Sequence, residues 1–111
     1  MNRGEIWLVN FDPAIGNEIV KKRPAVIISH NSMSKLKLKI VVPITSWKEK
    51  YSKFPWLTPL HSNAYNNLKK DSTADTFQIK SLSEDRFIKK IGTISDEELE
   101  NIVSAINLCI G

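Results

Sequence analysis

Residues 95–110 carry the one sustained helical pattern in the chain. Ser95 and Glu98 have capping-box spacing, with a hydroxyl at the N-cap and a carboxylate three residues on. Asp96 and Glu97 add negative charge where the helix dipole favours it. Leu99, Ile102, Val103, Ile106 and Ile110 then recur on one helical face. That face needs a partner, and everything before it reads as short strands and turns. The expected class is therefore mainly β with a C-terminal helix, a small α+β or barrel-like fold.

The strands are read from alternation. GEIWLVN (4–10) places Ile6 and Leu8 on one side and Trp7 and Val9 on the other. FDPAIGN (11–17) carries turn chemistry in Asp-Pro and Gly16, and a loop is expected through Lys22. PAVIIS (24–29) is nearly all apolar, as in a strand buried on both faces, and Pro24 is tolerable as its first residue. After a hairpin connection over 30–38, KIVVPIT (39–45) is the next strand, with Pro43 hinting at a bulge or an end. Residues 46–55 read as a long polar loop, and WLTPL (56–60) as a strand interrupted by Pro59. Residues 61–71 read as irregular or briefly helical, and 72–82 as one alternating strand. SEDRF makes a helical turn, and KKIGTIS forms the last strand. There is no repeat, low-complexity segment or linker, so 1–111 is expected to be one domain.

Several classes are excluded. A single cysteine, Cys109, rules out a disulfide framework and a cysteine-rich zinc site. No apolar run approaches the ~18 residues of a membrane helix, and the N-terminus lacks the apolar stretch of a signal peptide, so a cytoplasmic location is expected. Nucleotide cofactors would lack a cradle, since there is neither a G-x-G-x-x-G nor a P-loop. No cofactor and no metal are expected: the acids of 84–100 read as helix-start and surface acids. His30 and His61 stand far apart in sequence; they read as solvated loop residues, or as an acid–base pair should the fold bring them together.

Charge is unevenly placed. Residues 1–82 hold 13 Lys/Arg against 6 Asp/Glu, whereas 83–111 hold 3 against 6. A basic surface focused on one part of the fold suits a phosphate-bearing partner, although a lysine-rich soluble surface gives the same count. The sharpest local feature is KKRP (21–24), three cations at the mouth of an apolar strand. Such cations guard a strand edge against pairing, or else they bind an anion on a rigid element.

Four stretches, taken together, resemble the MazF/PemK/Kid toxin endoribonucleases of bacterial toxin–antitoxin systems. They are RGEIWLVNFDPAIGNE, with its D-P-x-x-G-x-E loop; RPAVIIS; VVPITS; and the segment from Asp71 to the C-terminus. That last segment carries D-S-x-x-x-x-x-Q-I-K-S-L, the K-K-I-G strand and the D-E-E-L helix. Only 30–38 and 46–71 are poorly anchored. The resemblance implies an SH3-like barrel, a homodimer and metal-independent cleavage of single-stranded RNA, usually mRNA. The implied products carry a 2′,3′-cyclic phosphate and a 5′-hydroxyl. It also implies an antitoxin partner with an acidic, partly disordered segment, together with which the toxin binds DNA.

Residue by residue, the resemblance makes Arg23 the catalytic arginine, Thr45 the catalytic threonine and Glu18 an acid of the gating loop. The chemistry is coherent. A guanidinium offers five fixed donors to phosphate oxygens and stays charged at any working pH. Thr45 donates one more hydrogen bond, and preorganised donors are worth about 3–4 kcal/mol each at a transition state. Arginine is a poor general acid, which leaves the proton to Glu18 or to a water. RNA would be held by Lys21, Lys22, Ser46 and Gln78, and by Trp47 set among Lys48, Lys50 and Lys53, where aromatic faces stack on bases and cations follow the backbone. Trp56 and Phe54 also read as core or dimer-interface residues.

The chain departs from the pattern in places. Lys22 stands where some members have histidine, and Asp75 and Phe77 stand where the Kid-like subgroup has an Arg and an Asp before the residue matching Gln78. The site should accordingly be of the Arg/Thr/Glu type, with base recognition left open. Two other roles on the same framework also remain open: a gyrase-poisoning toxin and a non-catalytic SH3-like binding module.

Overall fold

The computed structural model describes all 111 residues. Seven strands precede one helix: β1 (Glu5–Asn10), β2 (Lys22–Ile27), β3 (Leu38–Ser46), β4 (Leu57–Leu60), β5 (Ser72–Asp75), β6 (Lys80–Ser83), β7 (Phe87–Thr93) and α1 (Asp96–Ile110). All pairings are antiparallel, in the order β4-β5-β3-β2-β1-β7, with β6 also on β3. The fold is mainly β with a C-terminal helix, as expected. The curved sheet is not closed, however: β4 and β7 remain edges, so the barrel is only approximate.

β3 organises the rest because it changes partner along its length. Leu38–Val41 pair with β6, and Ile44–Ser46 pair with β5. Pro43 lies at the change, between the residues that pair with β6 and those that pair with β5. The β2–β3 ladder also stops there, at Ala25 opposite Pro43. Pro59 sits in the edge strand β4, where a missing donor is tolerated.

The apolar run of β2 is buried on both faces. Val26 joins Ile6, Val42, Ile44, Ile102 and Ile106 in the main core, while Ala25 and Ile27 join Val9, Phe11 and Val41 in a second. The helix closes the main core. Its capping box is formed, with the Ser95 hydroxyl accepting from the Glu98 amide and the Glu98 carboxylate accepting from the Ser95 amide.

Several details differ from the sequence expectations. β2 begins at Lys22 and ends at Ile27, not 24–29, because pairing with β1 reaches back to Asn10 and makes Pro24 the third residue. The expected strand over 72–82 is broken. Asp75 caps a turn of 3₁₀ helix at 76–78, and Thr76 ties that turn to the Trp56 carbonyl, so β5 and β6 serve different halves of β3. The polar loop after β3 holds a 3₁₀ turn at Glu49–Lys53. Residues 61–71 are irregular, the first of the two alternatives that the sequence left open. Ile110 is 76% exposed rather than part of the packed face, and Ala105 takes a buried place instead.

Candidate functional site

Arg23 and Thr45 line one cleft between diverging strands. In the β2–β3 ladder Val26 faces Val42 and Ala25 faces Pro43. The ladder ends there, two residues short of Arg23 and Thr45, where β3 turns away to pair with β5. The divergence opens a cleft of about 350 Å³. Its floor includes Leu8, Pro24 and Ile44, and its walls include Arg23, Thr45, Ser46, Asn67, Lys69, Lys70 and Lys89. No carboxylate lines it.

Arg23 is half-buried and makes no ion pair. Its Nε donates a long bond, 3.5 Å, to the Val20 carbonyl, which leaves most of the guanidinium donors to the cleft. Thr45 is half-buried and held in register by Thr73. The arrangement suits a tetrahedral anion: fixed positive charge, a hydroxyl and an apolar floor.

Glu18 lies elsewhere. It lines a separate depression with Asn17, Phe77, Gln78, Ile79 and Lys80. Its carboxylate accepts from the Ile15 amide (2.7 Å) and pairs with Lys80 (3.1 Å). The Ile15 amide first, and then Lys80, hold its pKa below the ordinary glutamate value. Gln78 belongs to the same depression, where its Oε1 accepts from the Ile19 amide at 2.6 Å. Together Gln78 and Lys80 pin the segment between β1 and β2 to the far side of the turn at 76–78.

The remaining expected residues are distributed around the cleft. Ser46 lines it, whereas Lys21 and Lys22 are exposed outside it, Lys21 in a left-handed turn with φ +66° whose amide donates to Asp12. Trp47 stands edge-on to Tyr51, and the aromatic contacts continue through Phe54 and Trp56 to Phe77. Lys48, Lys50 and Lys53 are exposed beside that row and do not line the cleft. His30 caps the turn at 31–33 and His61 faces Asp71 at 3.7 Å, so neither joins Arg23.

Sequence reasoning missed Asn67, Lys69, Lys70 and Lys89. The only signal for the three lysines was charge, in LKKD and FIKKIG, and Asn67 had none, because nothing in the sequence brought residues 61–70 onto β7.

Comparison with known proteins agrees with this architecture. Residues 2–110 match the family described as PemK-like, MazF-like toxin of type II toxin–antitoxin system. The endoribonuclease MazF9 of Mycobacterium tuberculosis is 35% identical over 114 residues, covering 97% of this chain and 94% of that protein. Among solved structures, MazF from Deinococcus radiodurans superposes with a TM-score of 0.83 at 19% identity, over 100% of this chain and 96% of that one. An endoribonuclease in complex with its cognate antitoxin from a mycobacterial species superposes with a TM-score of 0.75 at 16% identity, over 100% and 95%. These define a small toxin fold. The chain belongs to the PemK-like, MazF-like toxin family of type II toxin–antitoxin systems.

Proposed function

We propose that this chain is the endoribonuclease toxin of a type II pair, and that it cuts single-stranded RNA in the Arg23–Thr45 cleft. The observation that carries the reading is the cleft itself, lined by Thr45 and by an Arg23 that makes no ion pair, with no carboxylate among its lining residues. In the reaction the ribose 2′-oxygen attacks the adjacent phosphorus while its proton leaves to a base. The bond from phosphorus to the 5′-oxygen breaks, and that oxygen takes up a proton from a water. The products are a 2′,3′-cyclic phosphate and a 5′-hydroxyl. Arg23 and Thr45 donate to the non-bridging oxygens, where charge grows in the transition state. Attack within the substrate needs no metal when that charge is neutralised.

Glu18 is the proposed proton acceptor. The Ile15 amide and Lys80 hold its pKa below the ordinary glutamate value, and release from Lys80 raises its proton affinity. It serves only once the segment between β1 and β2 leaves Lys80 and brings it to the cleft. Ser46 is proposed to touch the substrate from the cleft wall, and Lys21 and Lys22 from outside it. Trp47, with Lys48, Lys50 and Lys53, is proposed to hold flanking nucleotides by stacking and charge. Gln78 can reach RNA only by releasing Ile19. An antitoxin with an acidic segment would compete for the same cations, as suits a fold whose relative is solved with its cognate antitoxin. Homodimer formation and a cytoplasmic location complete the proposal.

The test is to incubate the chain with a long unstructured RNA in EDTA and to map the ends. Discrete cuts leaving cyclic phosphates and 5′-hydroxyls are expected. A folded chain that leaves the RNA intact would overturn the reading in favour of a non-catalytic module.

A further inference from the structure

We propose that residues 67–70 and Lys89 form a second phosphate-binding subsite, which grips the RNA backbone beside the phosphate held by Arg23. The inference rests on the ribonuclease reading and adds to it a path for the strand.

The loop before β5 is built rather than loose. Asn66 is fully buried, and its Oδ1 accepts from the Asn63 and Leu68 amides while its Nδ2 donates to the His61 carbonyl at 2.7 Å. Asn67 turns the chain with φ +52° and donates from Nδ2 to the Ile91 carbonyl of β7 at 3.0 Å. Leu68 anchors in the main core. Residues 69 and 70 therefore leave a fixed point on β7 and pass over the cleft.

The charges there are unanswered. Lys69, Lys70 and Lys89 are exposed, line the cleft and make no ion pair. Nearby acids are committed elsewhere. Asp71 accepts from the Ser62 amide and faces His61, while Glu5 pairs with Lys90, the neighbour of Lys89 on β7. With Arg23 this makes four cations around one acid-free cleft. They repel one another unless ions screen them, and a polyanion that displaces those ions gains affinity by releasing them. RNA running from Arg23 across β7 meets this set.

The experiment compares K69Q/K70Q with K35Q/K37Q, which removes the same charge from lysines that do not line the cleft. Binding of a 2′-O-methyl RNA carrying the cut sequence is followed against salt concentration. The slope of log K against log salt should become shallower by about 1.4 for K69Q/K70Q, at about 0.7 for each phosphate contact on a single strand. Adding Lys89→Gln should take away about 0.7 more. K35Q/K37Q should keep a slope near that of the wild type. In cleavage assays K69Q/K70Q should raise KM and leave kcat unchanged, as loss of uniform binding requires. Equal slopes for the two double variants would overturn the subsite and leave the ribonuclease reading standing. A wild-type chain that does not bind the RNA would overturn both.

Discussion

The main chain of Asn66 lies against Gly92 so closely that a Cβ on Gly92 would sit 2.6 Å from the Asn66 carbonyl and 2.5 Å from that of Tyr65. The same Tyr65 carbonyl accepts from the Thr93 amide at 3.0 Å. Backbone thus meets backbone, and neither side has a flexible end to give way. Gly92→Ala should push the 61–70 loop off β7 and cost about 1–3 kcal/mol, the usual range for overpacking. Urea unfolding measures the cost, and a rise in KM for RNA should accompany it as Lys69 and Lys70 lose their place.

Asn66→Ala attacks the same loop from within. It removes three side-chain hydrogen bonds in a fully buried position and leaves the Asn63 and Leu68 amides without partners. A loss of about 1–3 kcal/mol is expected, the cost of leaving the buried Leu68 amide without a partner, since Asn63 is exposed to water. A melting temperature unchanged from wild type would show that the loop is not tied to the core in this way.

These two residues also mark where the sequence stopped being legible. The α1 capping box and the doubly buried β2 were readable because each rests on local pattern, and a matched motif named Arg23 and Thr45, which line one cleft. The 61–71 loop was not, because its structure comes from asparagine side chains bonding to backbone and from one contact to a glycine far along the chain. Alternation also misled over 72–82. The pattern of period two continues through Thr76 and Gln78, but the Thr76 hydroxyl and the Asp75 cap turn the chain out of the sheet. Glu18 was grouped with Arg23 by its place in a motif. Its position in the fold is set instead by Ile15, Lys80 and the Gln78–Ile19 bond.

Gln78→Ala should free the segment between β1 and β2. Removing the acceptor of the Ile19 amide should lower local protection by about 1 kcal/mol, the net worth of one such bond. Hydrogen exchange at Ile19 should then quicken by about fivefold, with little change at core amides such as that of Val26. Unchanged exchange at Ile19 would mean that the loop is held by other contacts.

Lys39 is nearly fully buried, and it donates to the Leu36 carbonyl and to Glu84, each at 2.8 Å. Hydrogen bonding to this ammonium holds the Glu84 carboxyl below the usual glutamate value. The folded chain therefore keeps Glu84 ionised where the unfolded chain takes up a proton. Its contribution to stability is complete above about pH 4.3 and is lost as pH falls through the lowered folded value. Glu84→Gln should lower the melting temperature at pH 7, and the gap to wild type should narrow below about pH 4. A gap that stays constant with pH would remove Glu84 from the acid response.

The most direct test of the central claim is the rate at which Arg23→Ala cuts RNA beside an identically purified wild type, both verified as folded by circular dichroism. If Arg23 neutralises the phosphate in the transition state, the variant should be slower by about 100-fold or more, the loss expected for one preorganised donor. Equal rates would contradict the account and return Arg23 to the role of a cation at the head of a strand.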